Sequence, residues 1–190
     1  MKTKLFGLML LAVLTLISCK EQAPQTEMAE EASEVPDYAA FDKKVEIIRA
    51  FYKAHGEENL EAQSAMLSED LKWSPPAYNG NEWLGKEDLL AALKNYHDAF
   101  DNIQWHEGIV MADSTVNGYW SGSVFPQTTA TDVPGVIRVY GTWSATHTET
   151  GKEIGVKFFN LTTINDEGMI VETSDYFDVN GLAAQIAADD

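Results

Sequence analysis

The stretch from Asn165 to Ile186, NDEGMIVETSDYFDVNGLAAQI, is the most informative part of the chain for the fold. It begins with a glycine-containing turn, continues as an alternating run typical of a half-buried strand, and ends in a short helical pattern. The turn joins this run closely to the strand-like segment before it, EIGVKFFNLTTI. The two are therefore predicted to form a hairpin of one antiparallel sheet.

The segments upstream of this hairpin also alternate like strands. They are IQWHEGIVMA, VNGYWSGSVF and VIRVYGTWSATHT, and all of them follow Asn102. The turn Glu149 to Lys152 predicts a second hairpin, because it joins two alternating segments closely. Gln127 to Gly135 is polar and rich in threonine, and is predicted to be a loop.

Helical patterns precede these strands. Apolar residues from Phe41 to Tyr52 recur at helical spacings, which predicts a long amphipathic first helix. Leu60 to Leu67 repeats the pattern briefly, and Gly85 to Phe100 predicts a third helix. Helices first and strands later predict an α+β domain.

The N-terminus has the features of a secretory signal. Lys2 and Lys4 precede the apolar run Leu5 to Ile17, which is short for a membrane span but suits the core of a signal peptide. The run ends in LISC, which resembles the bacterial lipobox, and this resemblance implies cleavage before Cys19 and acylation of that cysteine. The alternatives are a plain secretory signal with an incidental cysteine, or a transmembrane anchor.

The predicted mature chain begins with a tether. Residues 19–37 are acidic and contain few large apolar side chains, so burial cannot offset the entropy lost on ordering. Lys20 follows the cysteine in place of the aspartate that resembles an inner-membrane retention signal, which favours the outer membrane. The predicted organisation is a lipoprotein signal peptide at 1–18, the acylated cysteine and disordered tether at 19–37, and one domain at 38–190.

The composition excludes several classes of function. A formal charge of -17 and a pI near 4.4 argue against binding to nucleic-acid phosphates, which requires clustered lysine and arginine. Cys19 is the sole cysteine of the sequence, so the domain has no disulfide and no cysteine-based zinc site. The sequence contains no HExxH motif and no glycine-rich phosphate loop, and we predict neither a metal nor a cofactor.

These features together are similar to a known family. The segment GTWSATHTETGK and the end pattern described above resemble the SnoaL-like branch of the nuclear transport factor 2-like (NTF2-like) superfamily, over roughly Phe41 to Ile186. The resemblance implies a cone in which three N-terminal helices pack on a strongly bent antiparallel sheet, with a short C-terminal helix and an apolar pocket open at one end. It also implies that some relatives are cyclases, isomerases or epoxide hydrolases that use an aspartate, while others bind ligands or partners. The segment Ser121 to Gly135 departs from the family by its length.

Two aspartates at the end of the last strand are candidate catalytic residues. Strand alternation places Asp175 and Asp178 on opposite faces, so they cannot form a carboxylate pair. Enclosure among apolar side chains would raise the pKa of an aspartate and suit it to act as a base, whereas solvent exposure is the alternative for Asp175. The alternative for Asp178, or for Asn180, is to cap the helix that begins near Gly181.

Other candidates lie on neighbouring strands. His147 shares a strand face with Trp143 and is a third candidate for proton transfer, with a structural role as its alternative. Asn160 interrupts an apolar run, and a buried amide there must bond either to the protein or to a ligand. The segment Trp105 to Glu107 is interpreted as an edge or surface strand. The predicted ligand-binding residues are Trp73, Trp143, Phe158, Asn160 and Tyr176.

The sequence favours a membrane-anchored lipoprotein whose pocket binds a hydrophobic or amphipathic small molecule. The first alternative is an enzyme that carries out proton transfer of the isomerase, cyclase or hydrolase type, with a pocket aspartate as general base. The second alternative is a protein-interaction module, such as a homodimer formed through the sheet. A carboxylate inside the apolar cavity, within hydrogen-bond reach of a second polar group, distinguishes these possibilities.

Overall fold

The structure, a computed structural model, describes residues 38–122 and 135–188. The predicted signal peptide at 1–18, the tether at 19–37 and most of the predicted loop Gln127 to Gly135 lie outside the described residues. Within the described part, three helices and one strand come first, further strands follow, and a short helix comes last. The α+β prediction is confirmed.

The helices begin and end close to the residues predicted from the apolar spacing. The Asn59 side chain accepts a hydrogen bond from the backbone N–H of Ala62 and so caps the second helix. No described helix combines the length and hydropathy of a membrane-spanning segment. The helices are α1 (Ala39–Gly56), α2 (Leu60–Met66), α3 (Lys86–Ala99) and α4 (Val179–Ala187).

The described strands form one large sheet and one small hairpin. They are β1 (Leu67–Ser74), β2 (Phe100–Glu107), β3 (Ile109–Val110), β4 (Val116–Asn117), β5 (Tyr119–Ser121), β6 (Val136–His147), β7 (Glu153–Ile164) and β8 (Ile170–Phe177). The large sheet has the order β1-β8-β7-β6-β2, with β5 also paired to β6, while β3 and β4 form the separate hairpin. Both predicted hairpins are confirmed, with Gly151 (φ 71°) between β6 and β7 and Gly168 (φ 82°) between β7 and β8. Glycine adopts such left-handed φ values without strain.

The sheet is mixed: β2 and β5 to β8 pair antiparallel, as predicted, and β1 adds a parallel strand at one edge. β1 runs parallel to β8, and Trp73 lies opposite Thr173 in their register. No hairpin turn sets the relative direction of these two strands, because α3 and strands β2 to β7 lie between them in the chain. The parallel pair brings Trp73 next to the strand that carries the candidate aspartates.

The inner face of the sheet packs against the helices. Val139 of β6 shares a core with Ile48 of α1 and Leu89 of α3. A second cluster joins Trp143 of β6 to Leu182 of α4. The sheet curls around the helices, so the two clusters enclose a cavity between them.

Candidate functional site

A cavity of about 210 Å³ lies between the helices and the inner face of the sheet. Residues of α1, α3 and α4 form one side of it, and residues of β1, β2, β6, β7 and β8 form the other. Its aromatic side chains are Phe51, Tyr52, Trp73, Tyr96, Trp105, Trp143, Phe158 and Phe177. Such a lining suits an apolar guest, and specificity then depends on the few polar groups in the wall.

The polar groups of the cavity come mainly from β7 and β8. Residues two apart on a strand point to the same face, so alternate residues of each strand face the cavity. Three successive cross-strand pairs do so: Phe158 with Phe177, Asn160 with Asp175, and Thr162 with Thr173. An aromatic pair, an amide–carboxylate pair and a hydroxyl pair therefore follow one another along the wall.

Asp175 is the carboxylate of the cavity. The indole Nε1 of Trp73 donates a hydrogen bond to its Oδ2 over 2.8 Å, and Nδ2 of Asn160 donates to its Oδ1 over 2.8 Å. None of the ion pairs among the described residues involves Asp175. Each carboxylate oxygen is therefore held by one neutral donor.

A chain of hydrogen bonds fixes the direction of the Asn160 amide. The hydroxyl of Thr162 donates to Oδ1 of Asn160, so the amide oxygen already has a donor. Nδ2 then faces Oγ1 of Thr173 at 2.7 Å and Oδ1 of Asp175 at 2.8 Å. Asn160 is 2% exposed, and of the two roles open for its amide from the sequence, bonding to the protein is the one observed.

Burial changes the titration of the cavity side chains. It raises the pKa of Asp175 above its ordinary value, and the hydrogen bonds from Trp73 and Asn160 partly oppose this rise. Burial likewise raises the pKa of Tyr52 and Tyr96, and the nearby Asp175 carboxylate adds to both rises. The cavity thus holds a carboxyl that takes up a proton more readily than an exposed aspartate, and two phenols that stay protonated.

Three aromatic rings pack together on the β2 side of the cavity. Tyr52 stacks on Trp105, with ring centres 4.3 Å apart and planes 13° from parallel. Phe158 meets Trp105 edge-on, with 5.4 Å between the ring centres. Gly141 makes room for this packing, because a β-carbon at that position would lie 2.5 Å from Cη2 of Trp105.

His55 is a second titratable group in the wall. The indole Nε1 of Trp143 donates to its Nε2 over 3.1 Å, and its Nδ1 lies 3.0 Å from Nε2 of His97. Because an indole only donates, Nε2 of His55 carries no proton, and the neutral ring donates from Nδ1 to His97. Burial, and then the proximity of His97, lowers the pKa of His55 to about 3. His55 is therefore a neutral hydrogen-bonding group.

The described residues bring no set of metal ligands together. No group of three or more histidine, cysteine, aspartate or glutamate side chains in residues 38–122 and 135–188 is arranged to hold a metal ion. Asp175 is the one carboxylate among the cavity residues that the structure describes, and both ring nitrogens of His55 already have partners. These side chains supply hydrogen bonds and a proton acceptor.

Solved structures with the same arrangement of elements are known. A candidate polyketide cyclase from Xanthomonas campestris pv. campestris is 15% identical, with the match covering 78% of this chain and 100% of the other at a TM-score of 0.57. An NTF2-like protein of unknown function from Burkholderia pseudomallei is 18% identical over 77% of this chain and 98% of the other, with a TM-score of 0.52. A protein with a ketosteroid isomerase-like fold from Catenulispora acidiphila, described in complex with trimethylamine, is 15% identical over 74% of this chain and 91% of the other, with a TM-score of 0.53.

The domain has the NTF2-like fold. This confirms the fold that the sequence predicted, with the parallel strand β1 as an addition. No protein-family model matches the sequence, and no curated protein matches it. Identities of 15–18% establish the fold alone, so the function has to be argued from the site.

Five of the predicted site residues meet in the cavity of the NTF2-like domain. They are Trp73, Trp143, Phe158, Asn160 and Asp175. Of the two positions considered for Asp175, the pocket is the observed one. Trp143 lines the cavity and also belongs to a core cluster, so its side chain serves both purposes.

Asp178 and His147 do not belong to the cavity wall, which corrects their prediction as catalytic residues. Asp178 is the N-cap of α4, where its Oδ1 accepts a hydrogen bond from the backbone N–H of Gly181 over 2.7 Å. His147 ends β6, and its Nδ1 lies 3.0 Å from Oγ1 of Thr150. Both side chains bond to the backbone or to a turn, and neither is placed to act on a molecule in the cavity.

Tyr176 is also outside the cavity, which corrects its prediction as a ligand-binding residue. The alternation that turns Asp175 inward turns Tyr176 outward, where it is 51% exposed. It is the last of four aromatic rings in contact across the outer face of the sheet, in the order Trp120, Tyr140, Phe159 and Tyr176. The predicted homodimer would use this face, and it stays a prediction.

The cavity residues that the sequence did not predict include Tyr52, His55, Tyr96 and Trp105. Tyr52 and Tyr96 lie in segments predicted to be helical, His55 lies near the end of α1, and Trp105 lies in the segment interpreted as an edge or surface strand. The signal that finds Tyr52 and His55 is helical spacing, because they follow Ile48 by four and seven residues on one face of α1.

Proposed function

We propose that the NTF2-like domain binds a small hydrophobic or amphipathic molecule in its cavity. Asp175 carries the proposal, because it is a carboxylate in the wall of an apolar cavity, held by two neutral donors and without an ion-pair partner among the described residues. A buried charge that is incompletely paired is costly, and a polar group of a ligand placed against it offsets that cost. Apolar contacts supply the affinity, and Asp175 supplies the orientation.

The size of the cavity limits the ligand. The cavity measures about 210 Å³. An apolar cavity of about 150 Å³ holds benzene, and drug-sized ligands occupy pockets of about 300 Å³ and more. A molecule with one or two small rings, or a short branched chain, lies between these limits. The trimethylamine described with the Catenulispora protein supports small-molecule binding by proteins of this fold.

A second candidate function is proton transfer with Asp175 as general base, as in an isomerase, cyclase or hydrolase. The observation that favours it is a carboxylate inside the apolar cavity, Asp175, within hydrogen-bond reach of Trp73 and Asn160. Burial raises the pKa of this carboxyl, and two phenols, Tyr52 and Tyr96, line the same cavity. A carboxylate of raised pKa is a stronger base, and a neutral phenol donates a hydrogen bond to a developing oxyanion. The two candidates share one site and differ in whether the bound molecule is changed.

Tryptophan fluorescence tests binding, because three of the five tryptophans, Trp73, Trp105 and Trp143, line the cavity. A panel of small aromatic and alicyclic compounds, titrated into the purified full chain, should include members that change the emission with saturation. Trp105→Phe should reduce that change, whereas Trp83→Phe, at a position 50% exposed, should leave it intact. A response that vanishes in Trp83→Phe and persists in full in Trp105→Phe contradicts binding in the cavity.

Native mass spectrometry of the full chain purified from its own host separates the two candidates by identifying a resident molecule. A binding protein returns that molecule unchanged after incubation, whereas an enzyme converts it. In the second case Asp175→Asn should abolish conversion, since an amide does not accept the proton. Asp178→Asn makes the same change outside the cavity and should behave as wild type.

We also propose that the chain is a bacterial lipoprotein, anchored in the outer membrane through acylated Cys19. Support comes from the sequence LISC at the end of the apolar run and from Lys20 after the cysteine. Each buried CH₂ of an acyl chain contributes about 0.8 kcal/mol, so several chains hold a protein stably at a bilayer. Cys19→Ser should abolish labelling by a fatty-acid analogue and release the chain from membranes. Label that persists in Cys19→Ser contradicts the proposal.

A further inference from the structure

The described cavity lining contains an acidic side chain and no lysine or arginine to balance it. That side chain is Asp175, the one carboxylate of the described lining. The other titratable side chains of the lining are Tyr52, His55 and Tyr96. The tyrosines stay neutral because burial and the Asp175 charge raise their pKa. His55 is therefore the one described side chain of the lining that could balance Asp175 with a positive charge.

The surroundings of His55 oppose such a charge. Trp143 donates to Nε2 of His55 over 3.1 Å, and Nδ1 of His55 lies 3.0 Å from His97. A second proton on the ring would have to sit on Nε2, where it would face the N–H of Trp143. Burial from water disfavours the charged ring as well. No described residue of the lining thus neutralises Asp175.

The hydrogen bonds to Asp175 stabilise its charged form without cancelling the charge. Nε1 of Trp73 and Nδ2 of Asn160 are neutral donors, and each bonds to one carboxylate oxygen over 2.8 Å. Hydrogen bonds to an ionised carboxylate lower its pKa, and here they oppose the effect of burial. When Asp175 is ionised, the cavity has a negative potential and low-dielectric walls that strengthen it.

The aromatic walls suit a cation for an independent reason. The face of an aromatic ring is negative, and a cation within about 6 Å of the ring centre is attracted to it, most strongly at a tryptophan and when water is excluded. Trp73, Trp105 and Trp143 all line this cavity, as does Tyr52. The same rings make apolar contacts with the carbon atoms of a bound molecule.

We propose that the ligand of the cavity is a small lipophilic amine, bound as its ammonium ion, with Asp175 as the counter-ion and tryptophan rings around the charged group. The inference rests on the proposed binding function and specifies its ligand class. Carboxylic acids are excluded, because their charge would meet that of Asp175 inside a cavity of low dielectric constant. Neutral hydrocarbons of the same shape should bind more weakly than the amine.

Three probes that share a phenyl ring and differ in charge test the inference. They are benzyltrimethylammonium, its neutral carbon isostere neopentylbenzene, and the anion 3-phenylpropanoate. Titration of each into the full chain in detergent-free buffer, followed by tryptophan fluorescence and calorimetry, should give an affinity at least about tenfold higher for the cation than for the isostere. The anion should not bind measurably.

Asp175→Asn keeps the shape of the side chain and removes its charge. It should weaken binding of benzyltrimethylammonium at least about tenfold and leave neopentylbenzene within about twofold. Asp178→Asn, the same change at the exposed cap of α4, should leave both affinities unchanged. A neutral isostere that binds wild type as tightly as the cation overturns the amine inference and leaves the binding function standing. Failure of all three probes to bind wild type counts against the binding function itself.

The pH dependence of benzyltrimethylammonium binding tests the role of Asp175 without a protein variant. Benzyltrimethylammonium does not titrate, so a change in its affinity reports on the protein. Protonation of Asp175 removes the counter-charge of the bound cation. The affinity for benzyltrimethylammonium should therefore fall as the pH is lowered through the raised pKa of that carboxyl. Tyr52 and Tyr96, which face Asp175 from α1 and α3, stay neutral throughout this range. An affinity for the cation that is as flat with pH as that for neopentylbenzene contradicts the role given to Asp175.

Discussion

Asn160 and Asp175 lie directly opposite each other in the register of β7 and β8, and the Asn160 amide donates to the Asp175 carboxylate over 2.8 Å. The amide is itself held by the hydroxyl of Thr162. Asn160 is therefore a positioning residue for the carboxylate, and a change there should affect both the fold and the chemistry of the cavity.

Asn160→Leu is expected to lower the free energy of unfolding by about 1–3 kcal/mol, because buried polar groups lose their partners. Leucine leaves the Thr162 hydroxyl without its acceptor and Asp175 with one donor fewer. The pKa of Asp175 should rise further, since a hydrogen bond to the ionised form is lost. Urea denaturation and a pH series of ligand titrations on the same protein measure the two effects.

Asn180→Leu is the matched control for this change. Asn180 is exposed in the first turn of α4, and replacing it should alter stability by no more than about 0.5 kcal/mol. If Asn160→Leu were as stable as wild type, the amide would not be the support for Asp175 that its contacts indicate.

Asp178→Ala is expected to destabilise the domain by about 0.5–2 kcal/mol, whereas Asp178→Asn should keep most of the stability. The reason is the hydrogen bond from the Gly181 N–H to Oδ1, which asparagine can also accept and alanine cannot. Thermal melts of the three proteins measure the difference. Equal melting temperatures for wild type and both variants would rule out the cap, and a loss of ligand affinity in Asp178→Asn would connect the residue to the cavity after all.

Gly141→Ala is expected to destabilise the domain by about 1–3 kcal/mol and to weaken ligand binding, because the added methyl group enters the space of the Trp105 ring and of the His106 carbonyl oxygen. Displacement of Trp105 should also break its stack on Tyr52, which near-ultraviolet circular dichroism detects. Gly155→Ala on β7 is the control, since its β-carbon would meet the nearest atom, the carbonyl oxygen of Trp143, at 3.4 Å. Equal effects of the two substitutions would show that strand glycines in general, rather than the room for Trp105, are responsible.

Strand alternation accounts for which residues of β7 share a face. Phe158 and Asn160 both line the cavity, as the period of two requires. The same rule separated Asp175 from Asp178, and the observed cap at Asp178 is one of the two roles that the sequence left open. Local patterns of this kind depend only on neighbouring residues, which is why a single sequence contains them.

Contacts between distant segments could not be predicted in the same way. The bond from Trp73 to Asp175 joins residues on β1 and β8, and the parallel pairing that creates it is set by the path of the whole chain. The contacts of His55 with Trp143 and His97 likewise join residues far apart in the sequence, so the path of the chain determines them. Tyr176, predicted to bind the ligand, lies outside the cavity, because the alternation that turns Asp175 inward turns Tyr176 outward.

His55 should make the stability of the domain depend on pH. Its pKa is lowered from 6.5 to about 3 in the folded protein, first by burial and then by His97. Below a pH of about 6.5 the unfolded chain binds a proton at this residue that the folded chain does not bind, so unfolding is favoured as the pH falls. The expected loss is at most about 1.4 kcal/mol per pH unit between these two values.

The effect of His55 is best measured as a difference between proteins, because carboxylates also titrate in this range. Urea denaturation of wild type and His55→Gln at several pH values from 7 down to 4 measures the effect. As the pH falls below about 6.5, the free energy of unfolding should decrease more steeply for wild type than for the variant. His147→Gln, which removes a half-buried histidine that bonds to a turn outside the cavity, is the matched variant for the loss of a histidine side chain. Parallel curves for wild type and His55→Gln would mean that His55 accepts a proton in the folded state, and that the bond from Trp143 does not hold its ring neutral.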